Sequence, residues 1–308
     1  MTAPQTRSTA SGEQFARLGQ VKLCYETFGD PDAPPLLLVM GLASQMLVWE
    51  TDFCELLAGR GFRVIRFDNR DVGRSTILRE APVPKRWQLA VRDPKGAAYT
   101  LEQMAADAAG LLDSLEIPAA HVVGASMGGM IAQLLAIRHP DRVLSLVSIM
   151  ATTGNRRVGR PRPQLALSML RRVPRDRDGY IRGHLQTYRE IGSSAFGFDE
   201  SAHRKLAGLM FDRGIHPAGS ARQMAAIVTT GDRTESLRGL RVPTTVIHGD
   251  ADPLVNVSGG RATAAAVPDA KLVIMPGMGH DLPRQLWPEI VNAIAENAAR
   301  ADSGVADS

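Results

Sequence analysis

Residues 121–136 read HVVGASMGGMIAQLLA, and they place Ser126 between Gly124 and Gly128. The apolar run at the start of this stretch predicts a short buried strand, and the second half predicts a helix. One face of that helix is predicted to be apolar, through Met130, Ile131, Leu134 and Leu135. Ser126 therefore lies on a sharp turn from strand to helix, which strains its backbone and lifts its hydroxyl above the sheet edge. The turn needs small residues two positions before and two after the serine, and both are glycine.

A serine hydroxyl is a poor nucleophile at neutral pH, so it needs a base, and the base needs an orienting carboxylate. Two later strands are followed by such side chains. The strand predicted at 244–248 precedes Asp250 and Asp252, and the strand predicted at 272–275 precedes His280. Catalytic groups collect past the carboxyl ends of strands in open α/β sheets. The order serine, aspartate, histidine therefore predicts a hydrolytic triad containing one of the two aspartates.

These motifs resemble those of the α/β-hydrolase superfamily, and the resemblance covers almost the whole chain. The matching segments are 39–42, 68–75, 124–128, 249–252 and 279–280. Within the superfamily the chain is most similar to small esterases related to aclacinomycin methylesterase, through MGLASQMLVW (40–49) and FDNRDVGRST (67–76). The resemblance implies an α/β-hydrolase fold with an inserted cap and a serine carboxylesterase activity.

The choice between the two aspartates follows from this resemblance. The superfamily pattern G-x-x-D after the strand selects Asp252 as the residue that orients His280. Pro253 favours the same residue, because a residue before proline is held extended and projects its side chain from the loop. Asp250 stays as the alternative, and would otherwise cap or brace the loop.

Two backbone N–H groups are expected to form the oxyanion hole. One belongs to Met127, which follows the serine at the start of its helix, where the helix dipole favours negative charge. The second is that of Leu42, because Gly41 lets the backbone turn inward after the third strand. Many relatives have His-Gly where this chain has Met40-Gly41, which removes a local hydrogen-bonding group but keeps the backbone donor. A plain strand-ending turn at 40–42 is the alternative interpretation.

Eight strands are predicted, at 15–18, 21–28, 36–40, 62–67, 120–123, 143–149, 244–248 and 272–275. The first two form a hairpin around Gly19-Gln20, and the others alternate with helices, which predicts a mostly parallel sheet covered on both faces. A helix from Thr100 begins with a capping box, with Gln103 at its third position, and runs to Ile117. Asp68, Arg70 and Asp71 are predicted to brace their loop through ion pairs.

The domain plan is a core formed by 15–150 and 242–300, a helical cap at 151–241, and flexible tails at 1–14 and 301–308. The cap segment has 17 Lys or Arg against 8 Asp or Glu. Its arginines are interpreted as a solvated face, with attraction to anionic substrates or lipid surfaces as the alternative. Its apolar residues form either a pocket for an acyl or alkyl group over Ser126 or simple packing between cap and core. They are Leu165, Leu167, Met169, Leu170, Phe196, Phe198, Leu206, Leu209, Met210, Phe211, Met224 and Ile227.

The composition excludes several classes of function. Of 308 residues, 44% are hydrophobic and two are cysteines, so one α/β domain with buried free thiols at Cys24 and Cys54 is expected. No stretch resembles a signal peptide or a membrane span, which predicts a cytoplasmic protein without integral membrane association. Phosphate-loop, dinucleotide and H-E-x-x-H motifs are absent from the sequence, so no cofactor or metal is expected. No aromatic interleaving supports nucleic-acid binding, and the oligomeric state stays open.

The sequence therefore predicts a cofactor-independent serine esterase that acts on a small-molecule carboxylic ester through an acyl-enzyme on Ser126. The same triad also serves thioesters, lactones or carbon–carbon bonds, which stay as alternatives. Dehalogenase and epoxide-hydrolase branches are disfavoured, because their nucleophile is an aspartate. A hydrolase-fold protein that binds a ligand with little turnover is the alternative outside enzymes.

Overall fold

Eight strands form one sheet in the computed structural model, which describes residues 10–168 and 173–305. They are β1 (Gln14–Leu18), β2 (Val21–Phe28), β3 (Pro35–Val39), β4 (Arg63–Phe67), β5 (Ala120–Ala125), β6 (Val143–Ile149), β7 (Thr244–Gly249) and β8 (Lys271–Met275). Each agrees with its predicted strand to within two residues at either end. The predicted α/β fold with an eight-stranded sheet is confirmed.

The strand order is β1-β2-β4-β3-β5-β6-β7-β8. β2 is antiparallel to both β1 and β4, and the remaining neighbours are parallel. The hairpin between β1 and β2 turns at Gly19, whose φ of 61° is accessible to glycine without strain. From β3 to β8 the strands all point one way, so the loops that follow them meet at a single edge of the sheet.

Helices cover both faces of the sheet. They are α1 (Thr51–Ala58), α2 (Arg86–Val91), α3 (Leu101–Ser114), α4 (Met127–Arg138), α5 (Pro163–Ser168), α6 (Arg177–Ile191), α7 (Glu200–Arg213), α8 (Pro217–Thr229), α9 (Thr234–Leu237), α10 (Ser258–Ala266) and α11 (Trp287–Val305). One core cluster contains residues of α3, α4, α9 and α10, and the other contains residues of α1 and α11.

The helix α4 is buried on every side from Met127 to Ala136, so the prediction of a single apolar face was too narrow. The cause is that α4 contacts β5 and β6 as well as α3 and α9. Its one buried polar residue in the middle, Gln133, donates to Ser148 Oγ (3.1 Å) and accepts from Arg233 Nε (3.2 Å). The first half of α4 is thereby fixed in the interior.

The helix α3 begins at the predicted capping box. Gln103 N–H donates to Thr100 Oγ1 (3.3 Å), and Thr100 N–H donates to Gln103 Oε1 (3.0 Å). The helix ends at Ser114 rather than at the predicted Ile117, because Glu116 has a φ of 57° and cannot continue a right-handed helix.

Parts of both predicted tails have contacts or secondary structure in the described chain, and their flexibility stays a prediction. Residues 1–9 and 306–308 lie outside the described residues, but Ser11 N–H donates to Thr27 O (2.9 Å) and Glu13 pairs with Arg213 (2.7 Å). β1 already begins at Gln14. At the other end α11 continues to Val305.

Between β6 and β7 the chain forms α5 to α9, which we call the insertion. Among its apolar residues Leu165 and Met210 are buried, whereas Leu209 is largely exposed. The side chain of Leu167 and the whole of Met169 and Leu170 lie outside the described part of the chain.

Ion pairs join the loop after β4 to neighbouring elements, as the sequence predicts. Two of the partners belong to the insertion, so these pairs also tie α7 and α8 to the core. Gln45 strengthens the first link, since its Nε2 donates to Met210 O (2.8 Å) and Gly214 O (2.9 Å). The pairs are Asp68–Arg213 at 2.8 Å, Asp71–Arg222 at 2.7 Å and Arg70–Asp107 at 2.5 Å.

Cys24 and Cys54 are buried and free, as predicted, and burial raises the pKa of each thiol to about 12. Among the described helices none has the length and apolar character to cross a bilayer. The cytoplasmic location stays a prediction.

The buried pair Asp71–Arg222 provides a test of how strongly the insertion is held. Arg222→Met is expected to lower the free energy of unfolding by about 3–5 kcal/mol, because Asp71 keeps a buried charge without its partner. Urea denaturation at neutral pH measures this loss. The control is Arg238→Met, which removes an exposed pair with Glu235 and is expected to cost less than about 1 kcal/mol. Equal losses in the two variants would contradict the structural role of Arg222.

Candidate active site

The turn between β5 and α4 holds Ser126 in a strained conformation, with φ 57° and ψ −120°. Only glycine fits at positions 124 and 128, on either side of Ser126. A Cβ on Gly124 would lie 2.2 Å from Gly128 O, and a Cβ on Gly128 would lie 2.0 Å from Val39 O. Any side chain at either position would therefore push α4 away from the ends of β3 and β5.

The structure brings Ser126, His280 and Asp252 together from three separate loops. Ser126 Oγ donates to His280 Nε2 at 2.9 Å, and His280 Nδ1 donates to Asp252 Oδ2 at 2.7 Å, in the tautomer that this arrangement requires. His280 and Asp252 are both buried. A hydroxyl, an imidazole and a carboxylate thus form one hydrogen-bonded chain above the strained turn.

Asp252 is held by both of its carboxylate oxygens. Oδ1 accepts from Leu254 N–H and Val255 N–H, each at 2.8 Å, while Oδ2 faces His280 and lies 3.4 Å from His248 Nε2. Burial by itself would raise the pKa of Asp252, but His280, His248 and the Val255 N–H together hold it well below its usual range. The carboxylate is therefore charged and fixed in direction.

The alternative aspartate points elsewhere. Asp250 Oδ1 accepts from Gly277 N–H at 2.7 Å and so joins the loop after β7 to the loop after β8. This contact matches the bracing role that the sequence left open for Asp250. Of the two aspartates, it is Asp252 that contacts His280.

The loop after β3 lies directly beside Ser126. A Cβ on Gly41 would be 3.1 Å from Ser126 Cβ, so glycine lets the Leu42 backbone approach the serine. Asn69 Nδ2 donates to Met40 O at 2.9 Å and fixes the start of this loop. Met127, the other candidate oxyanion donor, is the first residue of α4, where a helix leaves its N–H groups without helical acceptors.

Gln223 of α8 is a site residue that the sequence did not reveal. Its Oε1 accepts from Ala43 N–H (2.8 Å) and its Nε2 donates to Arg70 O (2.9 Å). Gln223 is fully buried, and Ala43 has a φ of 57°, so one side chain of the insertion holds the candidate oxyanion loop in a left-handed conformation. A glutamine in an ordinary helical pattern carries no local signal of such a contact.

The end of α6 holds the His280 loop in a similar way. His280 N–H donates to Ile191 O at 2.7 Å, and Gly279 N–H donates to Ser193 Oγ at 2.7 Å. Ser193 Oγ in turn donates to Asp281 Oδ1. The insertion therefore positions the candidate general base as well as the candidate oxyanion loop.

A cavity of about 630 Å³ opens above Ser126, between the core and the insertion. Five of the apolar residues predicted for the underside of the cap line it: Leu165, Phe196, Leu206, Met224 and Ile227. Phe198 instead packs in a separate small cluster with Ile181 and Leu185 of α6. In the described part of the chain no group of three or more His, Cys, Asp or Glu is arranged to bind a metal.

Comparison with known proteins agrees with this architecture. The family profile described as "alpha/beta hydrolase fold" matches residues 34–283. The chain belongs to the α/β-hydrolase fold family. Among its curated relatives, rhodomycin D methylesterase DauP of Streptomyces sp. strain C5 is 29% identical, with 92% of this chain and 96% of that protein covered. Rhodomycin D methylesterase DnrP of Streptomyces peucetius is 28% identical with the same coverage. The predicted family and its methylesterase-like branch are confirmed.

Solved structures give the same fold. A hydrolase from Pseudomonas aeruginosa PA01 is 25% identical, covers 93% of this chain and 98% of its own, and has a TM-score of 0.68. An enol-lactonase from Burkholderia xenovorans LB400 is 23% identical over 93% of this chain and 100% of its own, with a TM-score of 0.72. The second match supports the fold alone.

Proposed function

We propose that this protein is a serine hydrolase that cleaves carboxylic esters. The observation that carries the proposal is the hydrogen-bonded chain from Ser126 through His280 to Asp252, above a strained turn and at the base of a cavity. The similarity to two methylesterases over nine-tenths of the chain supports the ester class. A methyl ester of an apolar carboxylic acid is the substrate type we infer.

In the proposed mechanism Ser126 Oγ attacks the acyl carbon while His280 Nε2 accepts the serine proton. The tetrahedral intermediate then loses the alcohol, which takes that proton from His280, and an acyl-serine ester remains. Water repeats the sequence with His280 as base, releasing the acid and free Ser126. Throughout, Asp252 holds the imidazole in the reactive tautomer and stabilises its charged form.

The negative charge on the intermediate requires donors fixed in advance. We assign this role to the N–H groups of Leu42 and Met127, each contributing about 3 kcal/mol in the transition state. Gln223 supports the proposal, because its bond to Ala43 N–H holds the residue next to Leu42. Asn69 acts on the other side of the same loop through Met40 O.

We further propose that the insertion is a cap whose underside binds the acyl group. Its apolar residues and those of the core enclose a cavity within the usual range for small-molecule sites. The ion pairs of Arg213 and Arg222 hold α7 and α8 against the core. This supports a cap that keeps the pocket in one shape.

A fluorophosphonate probe tests the nucleophile. Wild-type protein is expected to be labelled at Ser126, and Ser126→Ala is expected to lose labelling and to lower turnover by about five to six orders of magnitude, because serine and histidine act as one unit. Peptide mass spectrometry locates the label. Ser114→Ala, at the end of α3, is the control and should keep both labelling and activity. Esterase activity above a tenth of wild type in Ser126→Ala would overturn the mechanism.

Substitution of each aspartate by asparagine tests which of the two orients His280. Asp252→Asn is expected to lower kcat by about four orders of magnitude, since the amide favours the wrong histidine tautomer. Asp250→Asn is expected to keep most activity, because Asp250 contacts Gly277 rather than His280. Steady-state kinetics on one methyl ester give both values, and the reverse ranking would transfer the orienting role to Asp250.

A series of methyl esters from acetyl to octanoyl tests the acyl pocket. The ratio kcat/KM is expected to rise by up to about fourfold per added CH₂ until the cavity is full, since each buried methylene contributes about 0.8 kcal/mol. Beyond that length it is expected to fall, because an overfilled cavity displaces the ester from Ser126. A flat profile would contradict a closed pocket and indicate an open cleft.

A further inference from the structure

An exposed apolar patch lies on α2 and the segment before it, and none of its residues lines the cavity above Ser126. Trp87 is 57% exposed and Val91 is 66% exposed, and residues four apart on a helix share one face. Val83, just before the helix, is 51% exposed. We call these three residues the α2 patch. Large apolar side chains grouped on a surface mark a site of interaction more often than singly exposed ones do.

Basic residues flank this patch along the chain, and a second basic segment lies near Arg92 at the end of α2. Residues 79–95 contain five Lys or Arg and two acidic residues, and residues 156–162 contain four Arg and no acidic residue. The basic residues are Arg79, Lys85, Arg86, Arg92, Lys95, Arg156, Arg157, Arg160 and Arg162. A surface of this composition attracts polyanions, and the attraction weakens with salt.

Both basic segments contribute residues to the lining of the cavity. Arg92, which ends α2, lines the cavity, and so do Gly159 and Pro161 of the second segment. Burial, followed by the positive charge of Arg156, lowers the pKa of Arg92, so the two segments bring like charges near each other. An anion at the mouth would relieve this repulsion.

We propose that the α2 patch and the two basic segments dock the protein on an anionic lipid surface, with the cavity mouth facing the lipid. The aromatic and aliphatic side chains enter the boundary between headgroups and acyl chains, and the Lys and Arg side chains contact anionic headgroups. An amphiphilic ester then passes from the bilayer into the cavity. This last step rests on the proposed esterase function, but the docking itself does not.

The charges favour a bilayer over a second copy of the chain. A symmetric contact through the α2 patch would bring identical basic segments close to each other. A nucleic acid would satisfy the charges but not the aliphatic side chains of Val83 and Val91. A lipid surface accepts both the apolar and the basic groups.

Tryptophan emission tests the orientation of docking. The chain has three tryptophans, of which Trp49 and Trp287 are buried, so Trp87 reports contact with lipid. Vesicles of equal parts phosphatidylcholine and phosphatidylglycerol are expected to shift the emission to shorter wavelengths, and pure phosphatidylcholine is not. Trp87→Phe is expected to remove most of the shift while binding persists, and any remainder comes from Trp49 and Trp287, which line the cavity. A shift as large in Trp87→Phe as in wild type would overturn the proposed orientation.

Sedimentation with the same vesicles, using the full chain, tests which residues bind. Lys85→Gln combined with Lys95→Gln is expected to weaken partitioning by roughly 25-fold, since each basic side chain near the surface contributes about 1 kcal/mol. Trp87→Ser combined with Val91→Ser is expected to weaken it by at least about tenfold. The control is Leu144→Ser, an exposed leucine at the amino end of β6, which should bind like wild type.

Several outcomes would overturn the docking proposal: equal binding to neutral vesicles, no binding to anionic vesicles, or unchanged binding in the Trp87 and Val91 double variant. Ultracentrifugation without lipid adds another, because a dimer that this double variant dissociates would assign the patch to a second copy. Circular dichroism spectra and thermal unfolding curves that match those of wild type verify the folding of every variant. If wild type fails to hydrolyse any ester but still binds anionic vesicles, the esterase proposal fails and the docking proposal stands.

Discussion

The close approach of α4 to the end of β3 is the constraint on which the rest of the site depends. The backbone of Gly128 lies so near Val39 O that no side chain fits between them, and Gly124 faces Gly128 in the same way. This contact forces Ser126 into its positive φ and brings Gly41 beside it. Because α4 is buried on all sides, the strained turn cannot relax by moving the helix.

The parts that could be predicted from the sequence are those with a local signal. Strand runs of β-branched and apolar residues, the capping box at Thr100 and the glycines around Ser126 each act within a few residues. The choice between Asp250 and Asp252 shows the limit of such local signals. Asp250 and Asp252 are both near the end of β7, and only the three-dimensional path of the loop makes one of them contact His280 and the other Gly277.

The residues that the sequence did not reveal act across long stretches of chain. Gln223 accepts a hydrogen bond from Ala43 N–H, which is 180 positions away in the sequence, and Ser193 accepts one from Gly279 N–H, which is 86 positions away. Neither residue type nor spacing indicates these bonds, since they depend on how the insertion folds back over the sheet. The contact of Glu13 with Arg213, which follows 200 residues later, depends on the same folding of the insertion.

The bonds from Ile191 and Ser193 to the His280 loop have a consequence for how such proteins diversify. The insertion and the loop after β8 are hydrogen-bonded to each other, so a substitution that moves the backbone of one also affects the other. A chimaera that takes the insertion of a relative keeps the support of the His280 loop only if the new segment again offers acceptors to the N–H groups of His280 and Gly279. Recombination at the boundaries of β6 and β7, which looks modular in the linear sequence, is therefore constrained by backbone contacts at the opposite end of the chain.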